Sequence, residues 1–195
     1  MIVEIILVCL LAKLKRFRLQ FLWRTWTFYP VLLVQLMAIA FQVSFFLHST
    51  VFVPFAGYLI PAVILSFLFP MVAFSLYTPA MIGVGCIAAG SVLNRLVIAA
   101  NGGHMPVYPT LSYLTGYARP DMFGVLDTLH VLGGEGTRLA FLSDVIDFGY
   151  SILSIGDVLI HLYVCIMLYA LIRAVNARYG VTETGRSIGR SAAQN

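Results

Sequence analysis

Charge is what this sequence has least of: Asp, Glu, Lys and Arg make up 10% of its 195 residues, against 61% apolar ones. A water-soluble domain of this length cannot carry that balance without large exposed apolar patches, so most of the chain is expected to dissolve in lipid. Cysteine is scarce as well. Cys9, Cys86 and Cys165 lie in apolar runs without CxxC or Cys/His pairing, which argues against a disulfide framework or zinc site and leaves them as small packing residues. No P-loop lysine follows the glycine pair at 102 and 103, so nucleotide binding is not indicated, and no cofactor or metal is expected. The opening run MIVEIILVCLLA lacks a basic n-region and an A-x-A site and carries Glu4 instead, so it is expected to be an uncleaved first crossing.

What the chain has is long apolar runs. About 20 helical residues at 1.5 Å rise cover the roughly 30 Å hydrocarbon core. Runs at Met1–Ala12, Pro30–Leu47, Pro54–Leu76, Pro79–Ala100 and Ser151–Arg173 therefore predict an all-α polytopic membrane helix bundle of about five transmembrane helices. The bundle is expected to form one domain over residues 1–176, with one external segment, 101–150, folded onto it, and a disordered tail over 177–195. Pro61 is expected to bend the third crossing and Pro70 to close or kink it. Gln35 and Gln42, seven apart, suggest interhelical hydrogen bonds, and the small-xxx-small pair Gly85 and Ala89 places the fourth crossing at the centre of the bundle. Within the external segment, Thr137 is expected to cap a short helix over RLAFLSDVI.

Lys13, Lys15, Arg16, Arg18 and Arg24 alternate with Leu14, Phe17, Phe21, Trp23 and Trp26 after the first crossing. Beside a membrane run, this reads as a stretch lying in the interface with its rings at headgroup level; its partner is the lipid bilayer and not nucleic acid. Nine Lys and Arg fall in this stretch and the tail, against three, Arg95, Arg119 and Arg138, from the fourth crossing onward. The positive-inside rule then places the N-terminus outside and the C-terminus in the cytoplasm. Six of the eight acidic residues fall between Asp121 and Asp157, on the external side.

The polar residues near the ends of the fourth and fifth crossings are the candidate site. Asp157 lies inside the last apolar run, where an ionisable group is costly unless paired, and Arg95 stands at matching depth in the fourth; an Arg95–Asp157 contact is expected, with Asp144 or Asp147 as alternatives to Asp157. Asp157, His161 and Cys165 are spaced by four along one face, which is metal-ligand chemistry in type, but they need His104 or His130 to complete a sphere. The blander reading is a His–Asp bond holding the bundle together. In NGGHMPV, the glycines permit left-handed backbone, Asn101 can cap the helix before it, and Met105-Pro106 starts an extended piece.

NGGHMPV (101–107), LDTLHVL (126–132), FLSDVIDF (141–148) and SIGDVLI (154–160) together resemble an uncharacterised family of bacterial multi-pass membrane proteins with Asn-Gly-Gly-x-Met-Pro-Val and Ser-x-Gly-Asp-Val elements. That resemblance implies a bacterial inner-membrane protein and supplies no activity. GSVLNRL, VIDF and SIGD also stand in the order of the motifs of lipoprotein signal peptidases, which are membrane aspartyl proteases. This second similarity implies a catalytic Asp157 with Asp147 or Asp144 as its partner, because Asn94 stands where that family has its other aspartate.

The leading reading is a non-enzymatic interaction or sensory accessory protein with a polar pocket at the outer membrane face. Arg95, Asn101, His104, Asp144, Asp147, Asp157 and His161 are expected to line it, with another membrane protein or a lipid headgroup as its partner. The rival is an aspartyl hydrolase at the membrane surface. A proton or metal-ion conduit is third, and the scarcity of polar residues in the inner halves of the crossings argues against it.

Overall fold

The structure, a computed structural model, describes residues 2–47, 49, 51–120 and 129–192. The expectations that touch His48, Thr50, Asp121, the first three residues of LDTLHVL and residues 193–195 lie outside the described residues. The chain is mostly helical: α1 (Ile2–Leu14), α2 (Phe28–Phe46), α3 (Leu59–Ser66), α4 (Leu68–Ala73), α5 (Tyr77–Ala100), α6 (Leu111–Thr115) and α7 (Ile155–Ala192). Among the described residues, three helices are long and apolar enough to cross a membrane: Phe28–Phe46, Tyr77–Ala100 and Ile155–Gly180.

Prolines mark where the helices begin. Pro30, Pro61, Pro70 and Pro79 are each the third residue of α2, α3, α4 and α5, where a backbone N–H has no intrahelical acceptor to lose. The expected bend at Pro61 is therefore corrected: Pro61 helps to open α3. The break falls at Phe67, because Pro70 has no N–H to offer the carbonyl of Ser66 four residues back.

The chain forms two compact units, and each of the three long helices contributes to both. The first comprises Met1–Ala38, Gly57–Ile82 and Val164–Asn195. Phe21, Val31, Phe67, Met167, Leu171, Ile172 and Val175 are buried in it. Of the rings in the basic stretch, Phe21 packs into this core, whereas Trp23 and Trp26 are exposed. Gln35 is buried, and its amide makes no hydrogen bond among the described residues, so the bond expected of it is not formed. α7 continues to Ala192, through residues expected to form a disordered tail. Its sequence after Arg173 begins with alanines and arginines, good helix formers, and Asn176 and Tyr179 are tied to the backbone of Arg18 and Arg24.

The second unit comprises Ile39–Ala56 and Gly83–Tyr163. Here α5 and the start of α7 approach closely at Gly83 and Gly90. A Cβ on Gly83 would come within 2.7 Å of the Tyr163 ring, and one on Gly90 would collide with the carbonyl of Gly156. Gly85 has no neighbour in contact, so the close approach runs through positions 83 and 90 and not through the expected pair at 85 and 89. Of the apolar window of α5 17% is buried, against 39% of that of α7. One narrow stripe of glycines seats one neighbour and leaves the other faces open.

The segment after α5 is partly folded. Gly102 and Gly103 take positive φ, and β1 (Met105–Val107) pairs in parallel with β2 (His130–Leu132). Val107 bridges Asp144 in parallel on its other side. A second pair, β3 (Ile146–Asp147) and β4 (Ile152–Leu153), is antiparallel around a turn at Gly149. The helix expected after Thr137 reduces to a 3-10 turn at Ala140–Leu142, because Leu139 adopts a left-handed conformation and the chain then turns into β3.

Candidate functional site

The start of α7 is built by four residues. Ser154 stands just before the helix, and its hydroxyl accepts the N–H of Asp157 at 2.9 Å; Asp157 Oδ2 accepts the N–H of Ser154 at 3.0 Å. This reciprocal pair is a capping box, which satisfies two N–H groups that an unassisted helix end leaves bare. Asn94 on α5 closes the circuit by donating to Asp157 Oδ1 at 2.8 Å and accepting from the Ser154 hydroxyl at 2.9 Å. Gly156 lets the two helices meet there, since a Cβ would collide with the Asn94 amide and lie 2.7 Å from the Gly90 carbonyl. The expected Arg95–Asp157 pair is corrected accordingly: Asn94 takes the carboxylate, and Arg95, about 100° further round α5, is exposed.

Asp147 lies at the end of β3 and organises the turn before α6. Its carboxylate accepts the N–H groups of Thr110 at 2.7 Å, Ser112 at 2.8 Å and Gly149 at 2.7 Å, and the Ser112 hydroxyl at 2.5 Å. Burial disfavours the charge, but these bonds outweigh it and hold the carboxyl below the usual carboxylate range. Asp144 is buried, and its Oδ2 lies 3.6 Å from Nε2 of His130 on β2.

Asn101 clamps a glycine-rich loop to the end of α5. Its amide donates to the carbonyls of Val97 and Arg138, both at 2.8 Å, and its oxygen accepts the Arg138 N–H at 2.9 Å. Thr137 Oγ1 accepts the N–H of Gly134 at 2.9 Å and tightens the same loop. The result is an open hollow of about 370 Å3 lined by Ala100, Asn101, Pro106, Val131, Gly134, Gly136, Thr137 and Arg138.

The expected single pocket is thus distributed over separate stations. Asn101 lines the hollow; Asp157 and Asp147 each occupy their own hydrogen-bonded setting, and Asp144 lies beside His130; His104 is exposed, and His161 is half-buried on α7. Among the described residues, no three His, Cys, Asp or Glu side chains stand close enough to hold a metal ion. Sequence reasoning did not place Asn94, Ser154, Thr137 or Arg138 among the residues of the pocket. The signal for Ser154 was present, because Ser-x-x-Asp ahead of an apolar run is the pattern of a capping box.

These features define a mostly helical protein with three helices long and apolar enough to cross a membrane, in which a short folded segment joins two of them. The chain belongs to the family of unknown function DUF5317, whose model matches residues 18–169. No curated protein and no solved structure matches it.

Proposed function

We propose that this is a non-enzymatic bacterial inner-membrane protein with about five crossings, whose external segment binds a small anionic ligand in the hollow beside the end of α5. The three long helices, together with α1 and the shorter apolar stretch Leu59–Ala73, make up the five crossings. Two sets of contacts support the alternation. Trp26 packs on Phe69 and Arg178 on Phe74 at the basic end, while Gln42 donates to the Tyr150 carbonyl and Phe46 stacks on Tyr117 at the other. With the basic end cytoplasmic, the N-terminus lies outside, and residues 101–154 face the exterior.

The observation that carries the binding reading is the difference between the hollow and the carboxylates. Asp157 and Asp147 spend their oxygens on caps and turns, which speaks against those two as an acid–base pair. At the hollow, the exposed Arg138 meets no carboxylate among the described residues, beside the Thr137 hydroxyl and the glycine backbone. A guanidinium next to backbone donors suits a carboxylate or phosphate. The test is thermal-shift titration of the purified full chain with a panel of small carboxylates and phosphates, for wild type and Arg138→Gln. Saturable stabilisation of the wild type that falls roughly tenfold or more in affinity in the variant supports the reading. Absence of any such ligand, or an unchanged response in the variant, refutes it.

A further inference from the structure

We infer that the face of α5 turned away from α7 docks a transmembrane helix of another protein, one that carries an Asp or Glu opposite Arg95. The inference rests on the reading of α5 as a membrane span whose Ala100 end faces the exterior. α5 is the least covered of the three long helices, and in the second unit it meets α7 through Gly83, Gly90 and Asn94. At 100° per residue, Val84, Gly85, Ala88, Val92, Arg95 and Ala99 fall within an arc of roughly 100° on the opposite side. All six are exposed. A Cβ on Gly85 would meet nothing within 4 Å among the described residues, so the backbone itself is open there.

Arg95 sets this face apart from a surface that merely borders lipid. It stands five residues before Ala100, about 7.5 Å below the end of the helix, among side chains that are otherwise apolar or small. Among the described residues no carboxylate lies within 4 Å of its guanidinium. The nearby acids are engaged elsewhere: Asp157 accepts from Asn94 and Ser154, and Asp147 from Thr110, Ser112 and Gly149. A guanidinium at that depth is costly unless a partner meets it. Snorkelling gives little relief. Cα–Cβ bonds tilt toward the helix N-terminus and long side chains follow them, so Arg95 leaves α5 heading for the middle of the bilayer and away from the nearer surface.

Charge and shape together select the occupant. A carboxylate on a neighbouring span takes the guanidinium through two parallel bonds, and each charge offsets the other's cost in lipid. Gly85, Ala88 and Ala99 let that helix approach closely, as small residues do at helix contacts in membranes, where apolar area alone supplies no drive. A second copy of this chain does not fit. All copies insert in the same direction, so an isologous contact on this face sets Arg95 against Arg95.

The test uses the full chain in phosphatidylcholine vesicles with a synthetic transmembrane peptide of leucine and alanine. The peptide carries a Gly-x-x-x-Ala pair and one Asp about five residues from its outward end. Association is read by energy transfer between dyes on chain and peptide. Wild type is expected to bind it roughly fivefold to thirtyfold more tightly than the same peptide with Ala in place of Asp, the fold-change of one interhelical polar contact. Arg95→Gln should erase that preference, and Arg95→Glu should transfer it to a peptide with Lys at the same position. Gly85→Leu, at a position open in the chain's own fold, should weaken binding of both peptides without lowering thermal stability. Equal binding of the Asp and Ala peptides by wild type, or a preference that survives Arg95→Gln, overturns the proposal. Energy transfer between wild-type copies that Gly85→Leu abolishes assigns the face to a homodimer, and loss of the preference on doping with phosphatidylglycerol assigns Arg95 to lipid phosphate; either result overturns it as well. A chain released from membranes by alkaline carbonate overturns the membrane reading itself, a distinguishable failure.

Discussion

Replacing Asp157 with alanine removes one acceptor that serves two donors, the Ser154 N–H and the Asn94 amide. The Ser154 hydroxyl still caps the Asp157 backbone, so only the reciprocal half of the capping box is lost, at about 0.5–1 kcal/mol. The Asn94 amide is left without an acceptor in a partly buried site, at about 1–3 kcal/mol. Together these give about 1.5–4 kcal/mol. Asp157→Asn should cost less, about 1 kcal/mol, because the Asn94 amide can rotate so that its oxygen accepts from the new NH2 and its nitrogen donates to the Ser154 hydroxyl. The assay is equilibrium unfolding of the detergent-solubilised chain, extended to a double-mutant cycle with Asn94→Ala. The cycle should return a coupling of about 1–2 kcal/mol. A coupling below about 0.5 kcal/mol, or an alanine variant as stable as wild type, would show that the circuit does not hold the helices.

Gly156→Ala should destabilise by about 1–3 kcal/mol in the same assay, since the new methyl meets an engaged amide and a helix carbonyl that cannot yield, and α7 must back away from α5. Gly85→Ala, at an open position, serves as the control and should be neutral or slightly stabilising; equal effects of the two substitutions would contradict the packing argument. Asp147 carries the acid sensitivity of the folded segment. Its carboxyl is held below the usual range, so its stabilisation is complete above the unfolded value near 4 and disappears as pH falls through the lower folded value. Thermal unfolding from pH 7 to pH 2 should show this acid drop in wild type and a flatter profile in Asp147→Asn, which starts less stable at neutral pH. Parallel profiles would assign the drop to other groups.

Hydropathy made the long helices legible, because a run of apolar residues bounded by proline admits few other readings. It also made NGGHMPV legible: the glycines do take positive φ, Asn101 does bond the Val97 carbonyl, and Met105 does begin a strand. What composition cannot convey is azimuth. Gly83, Gly90 and Asn94 share the face of α5 that meets α7, while Gly85, equally small, points elsewhere. The partner of Asp157 was decided by one residue's rotation around the helix, Asn94 taking the place expected for Arg95.

A larger difference concerns the boundary of the last helix, and it bears on the charge expected opposite Asp157. Counting the last crossing from Ser151 puts this carboxylate a turn and a half inside lipid, where it demands a counter-charge. The helix begins at Ile155, so Asp157 is its third residue, with Ser154 as cap. In that position a carboxylate needs no guanidinium: bare N–H groups and the positive end of the helix dipole already favour it. Ser151–Leu153 instead form the end of the folded segment between α5 and α7, with Ile152 and Leu153 paired to β3. A shift of four residues thus places Asp157 in a joint between two helices, where the sequence had suggested a charge sunk in an apolar run.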